Sequence, residues 1–276
     1  MITKIEDFSK LCVHTLTTRP WNIEECVRSY AAAGIHGITV WRNVLENRNL
    51  PEVKKLLDDY RMEVVSLARG GFFPSVNREK REAAIADNLF AIEQAEAVGA
   101  PSIVLVCGAD GGQSLEKSRE QIAEGIMRIL PVAAQNGIKL SIEPLHPMYA
   151  GDRSAINTLS QANDMAELIN SEWVGVAVDV YHLWWDPALK AEIQRCAANN
   201  HLFAFHVCDW NVPTTDFLND RGLMGDGCIN VPGIRSWVEE AGFTGYNEVE
   251  IFSDKYWATD QHAYLERIKE AYLTKT

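Results

Sequence analysis

Four ionisable side chains stand inside otherwise apolar runs: Glu143 in SIEPLHP, Asp179 in VDVYH, His206 in FHVCD and Glu250 in EVEIF. A carboxylate taken out of water without a partner is costly. Three carboxylates and one imidazole, each near the end of a short apolar run, share one simple explanation: a common cation. Oxygen-rich ligation with a single nitrogen suits Mn²⁺ first, with Mg²⁺, Co²⁺ and Zn²⁺ also compatible. No thiolate belongs to the set. A buried ion pair would explain any one of these residues alone. Four of them on consecutive strands, at one layer, favour the shared ion over separate pairs. Glu248 competes with Glu250, because residues two apart on a strand face the same way. Glu250 lies nearer the C-terminal end of its run and is preferred.

The elements that must position these residues follow from hydrophobic patterning. Near-continuous apolar runs at 9–14, 36–41, 63–68, 102–107, 139–144, 174–180, 202–208 and 247–252 read as strands buried on both faces. Helical periodicity fits 23–33, 78–98, 115–135, 158–170, 188–199, 232–241 and 260–273. Asn22 with Glu25 reads as a capping box, Gly34 as a helix stop, and Pro232 as a first-turn residue. Pro131 is expected to kink or divide the helix at 115–135. A recurring join of helix, glycine, short turn and strand appears in AAAGIHGITVW, AVGAPSIVLV, QNGIKLSIEP and EAGFTGYNEVEIF. Alternation of this kind predicts a closed (β/α)8 TIM barrel as one domain over 1–276. An open doubly wound sheet lacks support, since no GxGxxG follows the first strand. In such a barrel the chemistry sits at the C-terminal strand ends. There the chain also places His14, Trp41 with Arg42, Arg69, and the run Cys107-Gly108-Ala109-Asp110.

Composition excludes several classes. Hydrophobic residues make up 47% and charged residues 23% of the 276 residues, which is globular rather than disordered. The net charge of −12 and the lack of a Lys/Arg cluster argue against nucleic acid as a partner. No apolar run is long enough for a membrane span, so no membrane partner is expected. The start MITKIEDFSK lacks a secretory pattern. Six cysteines, at 12, 26, 107, 196, 208 and 228, show no CxxC spacing. They read as buried free thiols in a reducing, cytoplasmic setting.

The segments IEP (142–144), VDVYH (178–182), FHVCD (205–209), RGLMGDG (221–227) and VEIF (249–252) resemble the xylose-isomerase-like TIM-barrel superfamily, in its sugar phosphate isomerase/epimerase group. The resemblance spans most of the chain. It implies one divalent metal held by Glu143, Asp179, His206 and Glu250, as in the ketose 3-epimerases of that superfamily. It further implies substrate contacts from His182, three residues after the aspartate, and from Arg221. Arg221 lies 15 residues beyond His206, farther than in those epimerases. The stretch after strand 5, LHPMYAGDR, lacks their second glutamate. The substrate side therefore departs from the ketose pattern.

The reaction expected from these residues is isomerisation or epimerisation of a sugar or keto-sugar. Glu143 and Glu250 are the expected acid/base pair, removing and returning a proton next to a carbonyl through an enediolate. Loss of a β-hydroxyl would instead make a lyase or dehydratase of a keto-inositol or 3-keto-glycoside. A non-catalytic sugar-binding barrel is a third reading, disfavoured because binding alone needs no acid/base pair. His146 and Arg153 after strand 5 are candidates for hydroxyl or carboxylate binding, with surface solvation the alternative for Arg153. His14 and Trp41 join them at the rim. Asp209 reads either as a hydroxyl-binding group or as a loop cap, and Asp226 in GDG as a turn. Aromatics cluster at the same rim (Trp41, Phe72, Phe73, Trp184, Trp185, Trp210, Trp257), two or three of them expected to line a pocket. Exposed Trp also fits self-association into a homo-oligomer.

Overall fold

Parallel neighbours need a crossover connection of a dozen or more residues, and helices supply it here. The computed structural model describes residues 3–276. Met1 and Ile2, the start of the segment read above as lacking a secretory pattern, lie outside the described residues. Eight barrel strands appear in chain order: β1 (Leu11–His14), β2 (Gly37–Trp41), β3 (Glu63–Gly71), β4 (Ser102–Val106), β5 (Lys139–Glu143), β6 (Val174–Asp179), β7 (Leu202–Val207) and β8 (Asn247–Val249). Each pairs in parallel with its sequence neighbour, and β8 pairs with β1 to close the barrel. The expected strands are all present, trimmed or extended by a few residues at their ends.

The outer layer comprises α1 (Ile23–Ala32), α2 (Leu50–Asp59), α3 (Arg78–Val98), α4 (Leu115–Gln135), α5 (Leu159–Ile169), α6 (Leu189–Ala198), α7 (Val231–Glu240) and α8 (Gln261–Lys275). The capping box of Asn22 and Glu25 forms. Helix α2 is the one that periodicity did not single out. It buries only Val53 and Leu57, so its apolar stripe is thin. Helix α4 runs undivided through Pro131, so the division that was one of the two expected outcomes does not occur. The carbonyl that loses its donor there belongs to Met127, a residue on the exposed side of the helix.

Aliphatic side chains of the strands and helices form one core between the two layers. The lumen holds a separate small apolar patch of Val104, Ala177 and Ala204. Toward the C-terminal end the lumen becomes polar, with buried Thr39, Ser66, His206 and Glu248. All six cysteines are free, and five are buried as expected; Cys228 is exposed. No described helix is long and apolar enough to cross a membrane.

Candidate functional site

Strand register sets the first row of the site. Asp179 at the end of β6 and Glu248 on β8 are both the Cα partners of His206 on the intervening β7. Glu143 closes β5, and Glu250 sits just past the end of β8, its N–H still bonded to Val207 O at 3.2 Å. Ligand atoms of Glu143, Asp179, His206 and Glu250 all lie within 4.8 Å of one another, and all four residues are buried. The structure thus brings together the four residues singled out in the sequence.

Their hydrogen bonding is incomplete in a way that fits a cation. Glu143 Oε1 and both ring nitrogens of His206 are buried without a hydrogen-bond partner. His206 Nδ1 lies 3.0 Å from Glu143 Oε1, without the alignment that a hydrogen bond needs, and 3.8 Å from Glu250 Oε2. Native interiors seldom leave such groups unpaired. Burial pushes the His206 imidazole down, but the carboxylates of Glu248, Glu143 and Glu250 outweigh it and bring its pKa up to about 10. Burial raises Asp179 to about 7, with Glu250 and Glu143 adding to the rise and Arg221 opposing it. A crowd of carboxylates that holds protons this firmly suits a divalent ion held by three carboxylates and one neutral imidazole.

Arg221 reaches this cluster through a detour that its sequence distance conceals. After β7 the chain runs Asp209–Trp210, loops out, and returns antiparallel as Arg221–Gly222. The return is pinned to the segment after β8, where Arg221 N donates to Phe252 O at 2.9 Å. Asp209 fastens the loop. Its Oδ1 accepts the N–H groups of Trp210 and Ile229, and its Oδ2 those of Gly225 and Gly227. Four bonds saturate the carboxylate, so Asp209 is a loop latch and not a hydroxyl-binding group. Gly227 is required by close approach, since a Cβ there would lie 2.0 Å from Trp210 O. Asp226 lies in the turn, accepting from Tyr256 Oη.

Arg221 is 3% exposed and stacked between the rings of Tyr181 and Phe252. Its Nη1 donates to Asp179 Oδ2 at 3.0 Å and to Glu250 Oε2 at 2.9 Å. Burial pushes Glu250 up, but Arg221 and His14 together hold it well below the usual carboxylate range. Arg221 Nη2 also points at His182 Nε2, 3.2 Å away. A guanidinium only donates, so His182 carries its proton on Nδ1. Burial and the Arg221 charge keep His182 well below its ordinary pKa and therefore neutral.

Beneath the four-residue cluster lies a second layer. His14 Nε2 sits 3.3 Å from Glu248 Oε2, and His14 Nδ1 sits 3.2 Å from Glu250 Oε1. Glu248 accepts from Thr39 Oγ1 at 2.6 Å and from Ser66 Oγ at 3.3 Å. Its other oxygen is 3.8 Å from His206 Nε2. Glu248 thus stands on the Nε2 side of the His206 ring, beyond hydrogen-bond distance, where it would accept from Nε2 if the ring held an ion through Nδ1. Sequence reading weighed Glu248 only as a rival of Glu250. The EVE alternation carried the signal for both roles, and depth in the barrel separates them. Glu248→Gln is expected to weaken metal retention by roughly 10–100-fold, the usual effect of losing such a partner. Metal content after dialysis against a chelator checks this.

A narrow inner cavity joins the cluster to the barrel mouth. Its wall includes Glu143, Glu250, His182, Arg221, Tyr149 and Phe252. It opens to a bowl of about 720 Å³, and Trp41, Arg69, Arg153, Leu218 and Phe252 line both. Trp41 and Arg153 thus line the way from the barrel mouth to the cluster. Two other candidates do not. His14 is fully buried behind Glu250 and touches carboxylates and Trp41 Nε1 rather than the cavity. His146 is taken up by an aromatic cluster with Trp185 and Trp210, and its Nδ1 accepts from Met148 N. Of the rim aromatics, Trp41 and Trp257 face the bowl, while Trp184 and Trp210 pack together with Tyr181. Sequence reading placed Arg69 only at a strand end and did not anticipate Tyr149, Leu218 or Phe252.

Comparison with known proteins agrees with this architecture. Residues 27–271 match the family described as xylose isomerase-like TIM barrel. A crystal structure of a Sinorhizobium meliloti 1021 protein superposes with a TM-score of 0.94 at 41% identity, covering 98% of this chain and 99% of that one. The zinc-bound IolI protein superposes with a TM-score of 0.84 at 18% identity, covering 95% and 96%. An inosose isomerase of Halalkalibacterium halodurans is 22% identical over 90% of this chain and 89% of its own length. With its match over most of its length, this chain belongs to the xylose isomerase-like TIM barrel family.

Proposed function

We propose that this protein is a divalent-metal-dependent isomerase or epimerase of a keto-sugar or cyclic polyol ketone. One observation carries the reading: Glu143 and Glu250 line a single narrow cavity and belong, with Asp179 and His206, to one buried ligand cluster. Its relatives named inosose isomerase and the zinc in IolI support it. Glu143, Asp179, His206 and Glu250 would hold the ion, with Mn²⁺ the first choice for an oxygen-rich set. A bound divalent ion supplies Lewis-acid polarisation of a carbonyl and its neighbouring hydroxyl.

The chain's own residues do the rest. Glu143 removes the proton from the carbon beside the carbonyl, leaving an enediolate on the substrate. Glu250, ionised at rest beside Arg221 and His14, takes up a proton from solvent and delivers it to the opposite face, while Glu143 releases to solvent the proton it removed. Return to the same carbon from that face gives epimerisation, and return to the neighbouring carbon gives isomerisation. Neutral His182 and the stacked Arg221 hold substrate oxygens in register. The aromatic wall of Trp41 and Phe252 excludes water from the intermediate.

The test is a panel of keto-sugars and inososes with the Mn²⁺-loaded protein in D₂O, followed by NMR. Deuterium is expected at the carbon next to the carbonyl in substrate and product. Turnover without label would remove proton abstraction from the mechanism. Release of water or of an aglycone would move the protein to the lyases, which share the first step.

A further inference from the structure

We infer that the substrate carries an anionic group, a phosphate or a carboxylate, seated on Arg69 and Arg153 at the neck between cavity and bowl. The inference rests on the proposed carbohydrate reading and narrows its substrate class.

The site's arginines fall into two kinds. Arg42 is spent, with its guanidinium fork closed on Asp87 at 2.8 Å for both bonds and its Nε on Gln94 at 2.6 Å. Arg221 has its charge already compensated by Asp179 and Glu250. Arg69 and Arg153 are different. Among the described residues, neither guanidinium has a carboxylate within 4.0 Å or makes a hydrogen bond. Arg69 lies over the Phe72 ring at 4.2 Å and Arg153 over the Tyr149 ring at 5.5 Å. Stacking of this kind holds the planes while leaving their edges free to donate. Both line the inner cavity that contains Glu143 and Glu250, and both line the bowl outside it.

The arrangement is costly without an anion. Burial lowers the Arg69 pKa and the charges of Arg153 and Arg42 lower it further, with Asp87 and Glu143 opposing them only in part. Among the described residues, Asp87 and Glu143 act on Arg69 only from beyond 4.0 Å and pair with neither guanidinium. A neutral sugar would leave the repulsion in place. An anion would relieve it, and the planar forks match both carboxylate and phosphate oxygens. Shared lining puts the two arginines and the two glutamates on the wall of one cavity. The surface charge of −12 does not oppose this, because exposed charges are screened beyond ~8 Å at physiological salt.

The test uses the metal-loaded protein and three matched probes: glycerol, D-glycerate and glycerol 3-phosphate. Their binding is measured by calorimetry in the wild type, Arg69→Gln and Arg153→Gln. At least one anion is expected to bind roughly tenfold or more tightly than glycerol, the effect of one charge-assisted hydrogen bond. The gap is expected to shrink to about threefold or less in each variant. Whichever anion binds more tightly identifies the group. Equal binding of all three probes by the wild type overturns the inference, as does a gap that survives in both variants. Arg153→Gln lies at the rim and decides alone if Arg69→Gln fails to fold. Anion binding lost in the variants, with no α-deuterium in any sugar, would leave this inference standing and the proposed reaction fallen.

Discussion

Glu250→Gln is expected to lower kcat by about 10²–10⁴-fold, the range for losing a general acid or base, while substrate affinity changes far less. The geometry gives the reason for the split. Glutamine keeps the shape and one acceptor oxygen, so Arg221 retains that contact and its bond to Asp179. What disappears is the charge that takes up a proton. Because Glu250 also belongs to the ligand cluster, turnover is to be measured at saturating Mn²⁺ with metal content determined on the same sample. A variant fully loaded with metal and within tenfold of the wild type would take Glu250 out of the proton-transfer role.

The second large effect is on metal affinity as a function of pH. Without an ion, the His206 imidazole sits at about 10, so at neutral pH it is protonated. A metal ligand must be the neutral ring, so each ion that binds displaces that proton. Proton and ion compete, and lowering the pH weakens binding. Apparent affinity is expected to fall about tenfold per pH unit from pH 9 to 7. Asp179, held at about 7, then adds a second competing proton, and the slope steepens toward about a hundredfold per unit below pH 7. Competition against a chelator of known pH behaviour measures both limbs. A flat profile would mean that His206 and Asp179 are not ligands. His206→Ala is expected to leave the protein without retained metal after dialysis, because it also leaves three carboxylates with no nitrogen donor.

Much of the fold was legible locally. Apolar runs bounded by glycine turns give strands, and apolar residues at helical spacing give helices, because both patterns record which faces are dry. Helix α2 has only two fully buried side chains, Leu50 and Leu56 packing part-buried beside them, and α4 continues through Pro131 with the exposed Met127 one turn before it. At the site, Glu143, Asp179, His206 and Glu250 were legible for one reason. An ionisable group inside an apolar run is anomalous wherever the chain folds.

The sequence by itself therefore determined the barrel and the cluster of four, since periodicity and buried charge are properties of short segments. Tertiary structure alone decided the rest. It set Glu248 in the layer below Glu250 by register with β7, and put His14 behind a carboxylate instead of against a substrate. It turned Asp209 into a latch and carried Arg221 back to Asp179 across a long loop. It paired Arg42 with Asp87 and, among the described residues, gave Arg69 and Arg153 no carboxylate within 4.0 Å. Each of these depends on which distant group a side chain meets, and the strength of a charge or a hydrogen bond is fixed by that partner rather than by neighbours along the chain.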